Sequence, residues 1–458
     1  MRLLRFAALC PLAAAFACGS TSRAPAPAYE LATEGGGGAA AGGAGGANGL
    51  GGRAGAAACG PLPADPIGGS PSPSSLTVVS TSSATTSEHE PHLARAESGA
   101  VAVVWIDYAT NAASGIGYAI SPDGATWPAP QELVSPTGNR SADPSIAADA
   151  CGGFHVAWLG YLQPGSSAPT ATQVYVASAP AGASSFGPAT LVSGPTTDGA
   201  DKPWITITPR GALLVCWGSN GGVTCARSED GASWSRATVV PEGGDIELPV
   251  SCASPDDPRV YVAYVTLAGP RLSWSDDDGA TWPANASRAI SAPSEANVGV
   301  LEPPSCVVSA GELVVAYGVS TDPMPVSTSP RLSAIRLARS TDHGASFSSY
   351  GAVTSAGRFF LHPMLARGGD GALHLVTYEG VAEGDPGALS YAKAAAGTVA
   401  FGPLTPLAPL TFVTNRSGPA WPGDYAGLVT HGGAIWAAYA GSPGAGAGHV
   451  GVYRGTPP

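Results

Sequence analysis

The chain has 458 residues, a formal net charge of −12 and only 12% charged residues. Lys202 and Lys393 are its only lysines, so no basic patch could follow a phosphate backbone, and nucleic acid is excluded as a partner. Abundant glycine and proline with little helical periodicity favour an all-β fold with many turns, and no apolar run beyond the N-terminus is long enough to cross a bilayer.

The first residues are typical of an export signal. A basic start at Met1–Arg5 precedes an apolar run from Phe6 to Ala17. The end of this run, Ala15-Phe16-Ala17-Cys18-Gly19-Ser20, is similar to a bacterial lipobox with Cys18 as the lipidated residue. Residues 1–18 are therefore predicted to be a signal peptide, and the protein is predicted to be an exported lipoprotein anchored at the outer membrane or cell surface. Secretion without an anchor is the alternative.

Residues 19–73 cannot form a core. They are almost entirely Gly and Ala from Glu34 to Gly60, and rich in Pro and Ser from Pro61 to Ser75. Such a composition predicts a flexible tether between the anchor and a folded domain at 74–458.

The folded part repeats one pattern seven times. A strand begins near a proline, a short turn follows, and an apolar strand ends in an aromatic residue 47 to 61 positions after the previous one; these residues are Trp105, Trp158, Trp217, Tyr264, Tyr317, Tyr378 and Tyr439. This spacing predicts a β-propeller of seven four-stranded antiparallel blades, with six blades as the alternative. We expect the aromatic residues to pack in the core, because each buries roughly 150–250 Å².

The seventh repeat runs out of chain before its fourth strand. The early segment Ser75–Ser80 resembles the fourth strands of other repeats. It is therefore predicted to pair with the C-terminal blade and close the ring, which removes an unpaired edge.

A second pattern lies between the third and fourth strands of four repeats. It reads hydroxyl, acid, glycine, hydroxyl, aromatic, at Ser121–Trp127, Ser228–Trp234, Ser275–Trp282 and Ser340–Phe347. The carboxylate is suited to accept bonds from backbone N–H groups and the glycine to supply a positive φ, so each copy predicts a tight hairpin turn. The second repeat has a decayed copy, Ser178–Phe186, in which Pro180 replaces the acid.

These turns resemble the Asp box, or BNR repeat, of sialidase-like β-propellers. The resemblance implies a structural role, on the face opposite a sialidase active site, for Asp123, Trp127, Asp230, Trp234, Asp277, Trp282, Asp342 and Phe347.

Six cysteines remain once Cys10 and Cys18 are assigned to the signal and the lipid. Their even number in an exported chain predicts disulfides. Cys216 and Cys225 flank one turn on neighbouring strands, and Cys252 and Cys306 hold equivalent positions in adjacent blades. Cys59 and Cys151 are left as a third pair, which would pin the tether to the face that carries the turn motifs.

In propellers of this kind, ligands bind the face formed by two sets of loops, those leading into the inner strands and those joining the second and third strands. The first set contributes Glu88, Glu90, Arg140, Asp143, Asp201, Lys202, Glu247, Glu302, Arg358, His362, Arg416, Trp421 and Asp424. The second set contributes Asp107, Tyr108, Tyr161, Asp322, Glu379 and Asp385. The acids could hold a cation or a basic partner, or could be solvated loop ends. No cofactor is predicted, although a bound calcium ion is possible in such a ring.

The sialidase resemblance also implies a chemistry. Tyr425-Ala426-Gly427-Leu428 is similar to the family's Tyr-Ser-x-Leu, which makes Tyr425 the candidate nucleophile, with Glu302 or Glu247 as its base and Asp107 as the acid. Such enzymes grip the sugar carboxylate with three arginines, for which Arg140, Arg358 and Arg416 are the candidates. However, the family's first Arg-Ile-Pro is replaced by His89-Glu90-Pro91, and an acid there would repel the substrate.

Two functions are therefore carried forward. The first is a surface-tethered, monomeric binding module that takes a glycan or protein ligand at the channel mouth through Arg140, Arg358, Arg416, Trp421 and Asp424. The second is a glycoside hydrolase of exo-sialidase type. A purely structural surface protein is a third interpretation.

Overall fold

The computed structural model describes residues 59, 62, 74–80, 88–110, 113–136, 138, 140–163, 170–194, 199–220, 222–240, 246–266, 268–284, 286–291, 302–320, 331–381, 386–412, 421–442 and 448–458. These residues form seven four-stranded antiparallel sheets. No helix that could cross a membrane is found within them. The predicted signal peptide, Cys18 and most of the tether lie outside the described residues.

The strands follow one another blade by blade. The N-terminal strand is β1 (Ser75–Val78). The first blade contains β2 (Glu88–Arg95), β3 (Val101–Thr110), β4 (Ala113–Ser121) and β5 (Gln131–Leu133), and the second contains β6 (Arg140–Ala148), β7 (Phe154–Leu162), β8 (Thr170–Ala179) and β9 (Thr190–Leu191). The third contains β10 (Asp201–Ile207), β11 (Leu213–Ser219), β12 (Gly222–Ser228) and β13 (Ser235–Val240), and the fourth contains β14 (Ile246–Ala253), β15 (Val260–Thr266), β16 (Gly269–Ser275) and β17 (Ser287–Ala289). The fifth contains β18 (Ser305–Ser309), β19 (Glu312–Val319), β20 (Ala334–Ser340) and β21 (Ser349–Val353), and the sixth contains β22 (Phe359–Arg367), β23 (Leu373–Gly380), β24 (Pro386–Ala394) and β25 (Thr405–Thr411). The seventh contains β26 (Gly427–His431), β27 (Ala434–Gly441) and β28 (His449–Gly455).

The seventh blade takes its fourth strand from the N-terminal end of the folded part. Strand β1 pairs antiparallel with β28, from Ser75 opposite Arg454 to Val78 opposite Gly451. The prediction of seven blades in a ring closed by an N-terminal strand is therefore confirmed. The six-blade alternative is wrong, because all seven repeats form complete sheets.

The core lies between neighbouring blades. Trp105, Trp158 and Trp217 have no exposed surface. Trp105 packs with Trp436 of the seventh blade, and Trp217 packs in a cluster with Leu159 of the second. Since burial of apolar surface contributes about 25 cal/mol per Å², these interblade contacts hold the ring together.

The four turn motifs share one hydrogen-bond pattern. In the third blade, Ser228 Oγ donates to Asp230 at 3.0 Å, and the same carboxylate accepts the Ser233 N–H at 2.7 Å. Equivalent bonds join Ser121, Ser275 and Ser340 to Asp123, Asp277 and Asp342. Gly124, at φ 64, shows why this position is glycine, since a Cβ there would collide with Trp436 of the neighbouring blade.

All three predicted disulfides are present. Cys216 and Cys225 are opposite each other on β11 and β12, and Cys252–Cys306 joins the fourth and fifth blades. Cys59–Cys151 ties the tether to the turn between β6 and β7. That turn lies at the end of the propeller that carries the turn motifs, which we call the turn face. The opposite end, where the chain leads into each inner strand, is the loop face.

Candidate functional site

The inner strands of five blades share a bulge at the loop face. At each bulge the residue before a proline has a positive φ: Glu90 (55°), Asp143 (54°), Lys202 (50°), Leu248 (60°) and His362 (54°). The ladder between the first and second strands shifts register at the same place. A bulge redirects the side chain of the extra residue, and in the first three blades it brings Glu90, Asp143 and Lys202 together at the channel.

Lys202 is the centre of this group. Its Nζ lies 3.0 Å from Glu90 Oε1 and 2.7 Å from Asp424 Oδ2, and it also pairs with Asp143. The four side chains come from the third, first, seventh and second blades, and all four are buried. The predicted ring of acids is therefore partly a buried ion cluster rather than a set of solvated loop ends, and its cation is a lysine of the chain. We call Glu90, Asp143, Lys202 and Asp424 the lysine cluster.

The charges in the lysine cluster do not balance. Burial is the largest influence on Glu90, and together with Asp143 and Asp424 it raises the pKa of that carboxyl well above its usual range despite Lys202. Burial alone would lower the pKa of Lys202, but Asp143, Asp424 and Glu90 outweigh it and raise that pKa. Both shifts have the same effect: Lys202 and Glu90 each bind a proton more tightly than they would in water.

Tyr425, the candidate nucleophile, packs directly beneath the lysine cluster. Its hydroxyl donates to the Pro144 carbonyl at 2.8 Å. Its ring lies edge-on to Trp204 at 5.7 Å and to His92 at 6.2 Å. Burial, followed by the charges of Glu90, Asp143 and Asp424, raises the pKa of Tyr425 well above its usual value. The hydroxyl is thus held in its neutral form by its surroundings.

Two acids bear on the predicted pairing of Tyr425 with a carboxyl. Glu90 has the largest influence of the charged groups that raise the pKa of Tyr425. Glu302 instead accepts two bonds from His362, from Nδ1 at 2.5 Å and from the backbone N–H at 3.0 Å. Trp421 packs edge-on against the His362 ring at 5.5 Å, so Trp421 and Glu302 belong to one buried group.

Asp107 lies at the rim of the loop face beside a second acid. It is opposite Glu88 in the ladder between β2 and β3. Burial raises the pKa of Asp107, and burial together with the Asp107 charge raises the pKa of Glu88 to about 7, against the opposing hydrogen bond with Ser80. Glu88 is therefore suited to exchange a proton near neutral pH, and Asp107 binds its proton more tightly than it would in water.

The candidate arginines are placed apart. The Arg140 guanidinium lies 5.9 Å from the centre of the Tyr108 ring, and Tyr108 stacks on His89 at 4.8 Å. Arg358 is part-exposed, with Nε 3.8 Å from Glu379 Oε1 in the sixth blade. Arg416, Asp322, Asp385 and the Glu247 side chain lie outside the described residues.

The channel is open toward the turn face. A cavity of about 490 Å³ is lined by the ends of the inner strands beyond the bulges, and it reaches His92 and Trp204. Because those two rings also contact Tyr425, they form an aromatic layer between the cavity and the lysine cluster. Leu62 of the tether lines the same cavity near the Cys59–Cys151 disulfide.

One group of three potential metal ligands occurs among the described residues, at Cys59, Asp149 and Cys151. Its two sulfurs are joined in a disulfide, so they cannot serve as thiolate ligands. These residues do not fit a metal ion.

Comparison with known proteins bears on the fold alone. No protein-family model matches the chain, and no curated protein matches it. A protein of unknown function from Dyadobacter fermentans is 13% identical with a TM-score of 0.50, over 83% of this chain and 97% of that one. A Hadza microbial sialidase is 13% identical with a TM-score of 0.46, over 81% of this chain and 66% of that one. The alpha-L-arabinanase of Penicillium chrysogenum is 11% identical with a TM-score of 0.46, over 83% of this chain and 98% of that one. At such identities the likeness concerns the fold alone, and the chain is a seven-bladed β-propeller.

The sequence singled out most of the residues at this site but not their partners. Lys202 and His362 were included only as loop-face residues, and Trp204 and His92 were not considered as parts of a site. The sequence feature that points to these residues is the position before the proline of each inner strand. In four of the five bulges this position is charged or carries an imidazole.

Proposed function

We propose that the protein is a surface-tethered binding module that takes a glycan or protein ligand on its loop face. In this proposal the lipidated Cys18 and the tether hold the propeller at the outer membrane or cell surface. The single observation that carries the proposal is the bond from the Tyr425 hydroxyl to the Pro144 carbonyl, within a site that raises the pKa of that hydroxyl. A tyrosine nucleophile requires the opposite, a phenol that loses its proton easily.

The charge of the loop face supports an uncharged or cationic ligand. The lysine cluster places three acids around one lysine, and Asp201 and Glu379 are further acids at the same face. Lys202, which could attract a carboxylate, is already paired with three acids. A sugar carboxylate would be repelled at this mouth, whereas hydroxyl or ammonium groups could donate to it.

Arg358 is the described basic group best placed for a ligand. Its side chain is 40% exposed, and its guanidinium can donate to sugar hydroxyls while remaining near Glu379. Arg140 of the second blade and Tyr108 of the first together offer a second polar and aromatic surface. Both residues belong to the set proposed for ligand binding from the sequence.

One observation favours the exo-sialidase type of glycoside hydrolase as a second candidate. Glu90 has the largest influence of the charged groups on the pKa of Tyr425, and such a mechanism requires a carboxyl that acts on the tyrosine hydroxyl. The raised pKa of Asp107 would suit a general acid. In this candidate Glu90 takes the role that the sequence resemblance gave to Glu302.

The binding proposal is tested on a glycan array that carries neutral, amino-bearing and sialylated glycans. We expect binding to neutral or amino-bearing glycans, and about a tenfold weaker signal for Arg358→Ala through loss of its hydrogen bonds. Arg210→Ala is the matched control, since Arg210 is exposed on the turn face. Equal losses in both variants, or binding confined to sialylated glycans, would contradict the proposal.

The anchoring part of the proposal has its own test. Cells that express Cys18→Ala should release the protein from the membrane fraction, and the purified variant should lack the lipid mass. A wild-type protein that carries no lipid would contradict anchoring, and secretion without an anchor would then be the remaining interpretation.

A further inference from the structure

A hydroxyl, an imidazole and a carboxylate are aligned in the second blade. Ser178 Oγ lies 2.8 Å from His155 Nδ1, and His155 Nε2 lies 3.0 Å from Asp149 Oδ2. His155 and Asp149 are buried, whereas Ser178 is half-buried. Asp149 is in the turn between β6 and β7, and Ser178 is directly opposite His155 in the ladder between β7 and β8.

The register of the ladder between β7 and β8 explains why this serine faces a histidine. In the complete motif of the third blade the first serine, Ser228, lies opposite Leu213, the first residue of the second strand, and in the second blade Ala179 holds that position opposite Phe154. Ser178 is one residue earlier, so its side chain lies on the other face of the sheet, directly across from His155.

The environment of Asp149 fixes which nitrogen of the His155 imidazole carries the proton. One carboxylate oxygen accepts the N–H groups of Cys151 at 2.9 Å and Gly153 at 2.8 Å, which leaves the other oxygen for His155. Burial alone would raise the pKa of Asp149, but bonds from His155, Gly153 and Cys151 outweigh it and lower that pKa. The ionised carboxylate can only accept, so Nε2 carries the proton and the lone pair on Nδ1 faces the Ser178 hydroxyl.

We propose that Ser178 is a nucleophilic serine that takes an acyl group from a carboxylic ester, with His155 as its general base and Asp149 as the residue that positions His155. In the step, Ser178 Oγ bonds to the ester carbonyl carbon while its proton passes to His155 Nδ1. The bond from that carbon to the alkoxy oxygen breaks, and the leaving alkoxide takes the bonding electrons and the proton from His155. The products are acyl-Ser178 and an alcohol.

This site is independent of the proposed function. It lies on the turn face next to the Cys59–Cys151 disulfide, whereas the lysine cluster lies at the loop face of the channel. Loss of either site should leave the other unchanged.

The test is acylation of the whole exported chain by p-nitrophenyl acetate, followed by peptide mapping. General-base assistance is worth about 10² to 10⁴ in rate, so Ser178 should be acetylated at least about 100-fold faster than Ser185. Ser185 is a control that needs no variant, because it is an exposed serine in the same turn segment. Equal labelling of the two serines, or labelling of Ser185 alone, would overturn the proposal.

Two variants separate a positioning role from a structural one. Asp149→Asn keeps an oxygen for the Cys151 and Gly153 N–H groups, but its amide donates to His155 and so reverses the imidazole proton. His155→Gln removes the base. Both should reduce acetylation of Ser178 at least about 100-fold while the Cys59–Cys151 disulfide still forms, and an unchanged rate in the folded variants would also overturn the proposal.

Discussion

Lys202 Nζ lies 2.7 Å from Asp424 Oδ2, so that a residue of the third blade is bonded across the channel to a residue of the seventh. Glu90 and Asp143 extend the same contact to the first and second blades. Three inner strands and the segment that leads into a fourth are thus joined at one end of the channel by buried charges. This arrangement joins the blades at the loop face, where the proposed ligand would bind.

Removal of the lysine should destabilise the propeller. Lys202→Met leaves the carboxyls of Glu90, Asp143 and Asp424 buried without their cation, and loss of one partner of a buried ion pair costs about 3–5 kcal/mol. We expect the free energy of unfolding at neutral pH to fall by this amount in urea titrations.

The other lysine of the chain provides the control. Lys393 pairs with Asp370 at 3.2 Å, and both side chains are nearly half-exposed. An exposed pair contributes about 0–1 kcal/mol, so Lys393→Met should be close to neutral. Similar losses for the two lysine variants would show that the lysine cluster does not fasten the ring.

Stability should depend on pH through Glu88. Burial raises its pKa from about 4.5 to about 7, so the folded state holds the proton more tightly than the unfolded state does. The resulting stabilisation is complete below about pH 4.5 and is lost as the pH rises through about 7. A rise of this size corresponds to a few kcal/mol at most, on the order of 3.

Glu88→Gln mimics the protonated acid and should abolish this part of the pH dependence. The free energy of unfolding, measured by urea titration at about pH 5 and about pH 8, should differ less between the two pH values in Glu88→Gln than in the wild type. Glu97→Gln, at an exposed acid on the turn face, is the control and should behave as the wild type does. A Glu88→Gln protein with the full wild-type dependence would rule out Glu88 as its source.

Closure of the ring should contribute measurably to stability. Deletion of residues 74–80 removes four paired positions from the seventh blade and exposes β28 as an edge. At about 1 kcal/mol for each hydrogen bond, the loss should reach several kcal/mol and lower the melting temperature clearly. Deletion of residues 456–458, which follow the last strand, should change it little. An unchanged melting temperature in the first deletion would contradict the closure.

The disulfides should differ in strength according to the chain that they enclose. Cys252 and Cys306 are 54 positions apart, whereas Cys216 and Cys225 are 9 apart. The chain-entropy relation gives about 4 kcal/mol for the first and about 2.5 kcal/mol for the second. Unfolding titrations of the paired Cys→Ala variants should reproduce this order, and the reverse order would mean that strain or residual structure dominates.

The fold could be predicted from the sequence because its signals are local and repeated. Each blade contains its own proline, turn and aromatic end, and the seven copies reinforce one another. The pairing of β1 with β28 followed from counting, since the last repeat lacks a strand that the N-terminal segment supplies. The disulfides followed from equivalent positions on neighbouring strands.

The partners within the site could not be predicted in the same way. Lys202, Glu90 and Asp424 meet because bulges in two inner strands and the segment that leads into β26 place their side chains at one axis, and no pattern within a blade encodes that meeting. The contact between Glu302 and His362 shows the same limit, since the order of residues around a ring does not fix which side chains meet at its axis.

Release of a fluorescent alcohol from an α-sialoside, measured for the wild type and for Tyr425→Phe, tests the central claim most directly. Because the Tyr425 hydroxyl is bonded to Pro144 and its pKa is raised, we expect no turnover above background from either protein. Tyr350→Phe, at an exposed tyrosine of the fifth blade, serves as the matched control. Turnover by the wild type and Tyr350→Phe that disappears in Tyr425→Phe would contradict the account and establish the hydrolase.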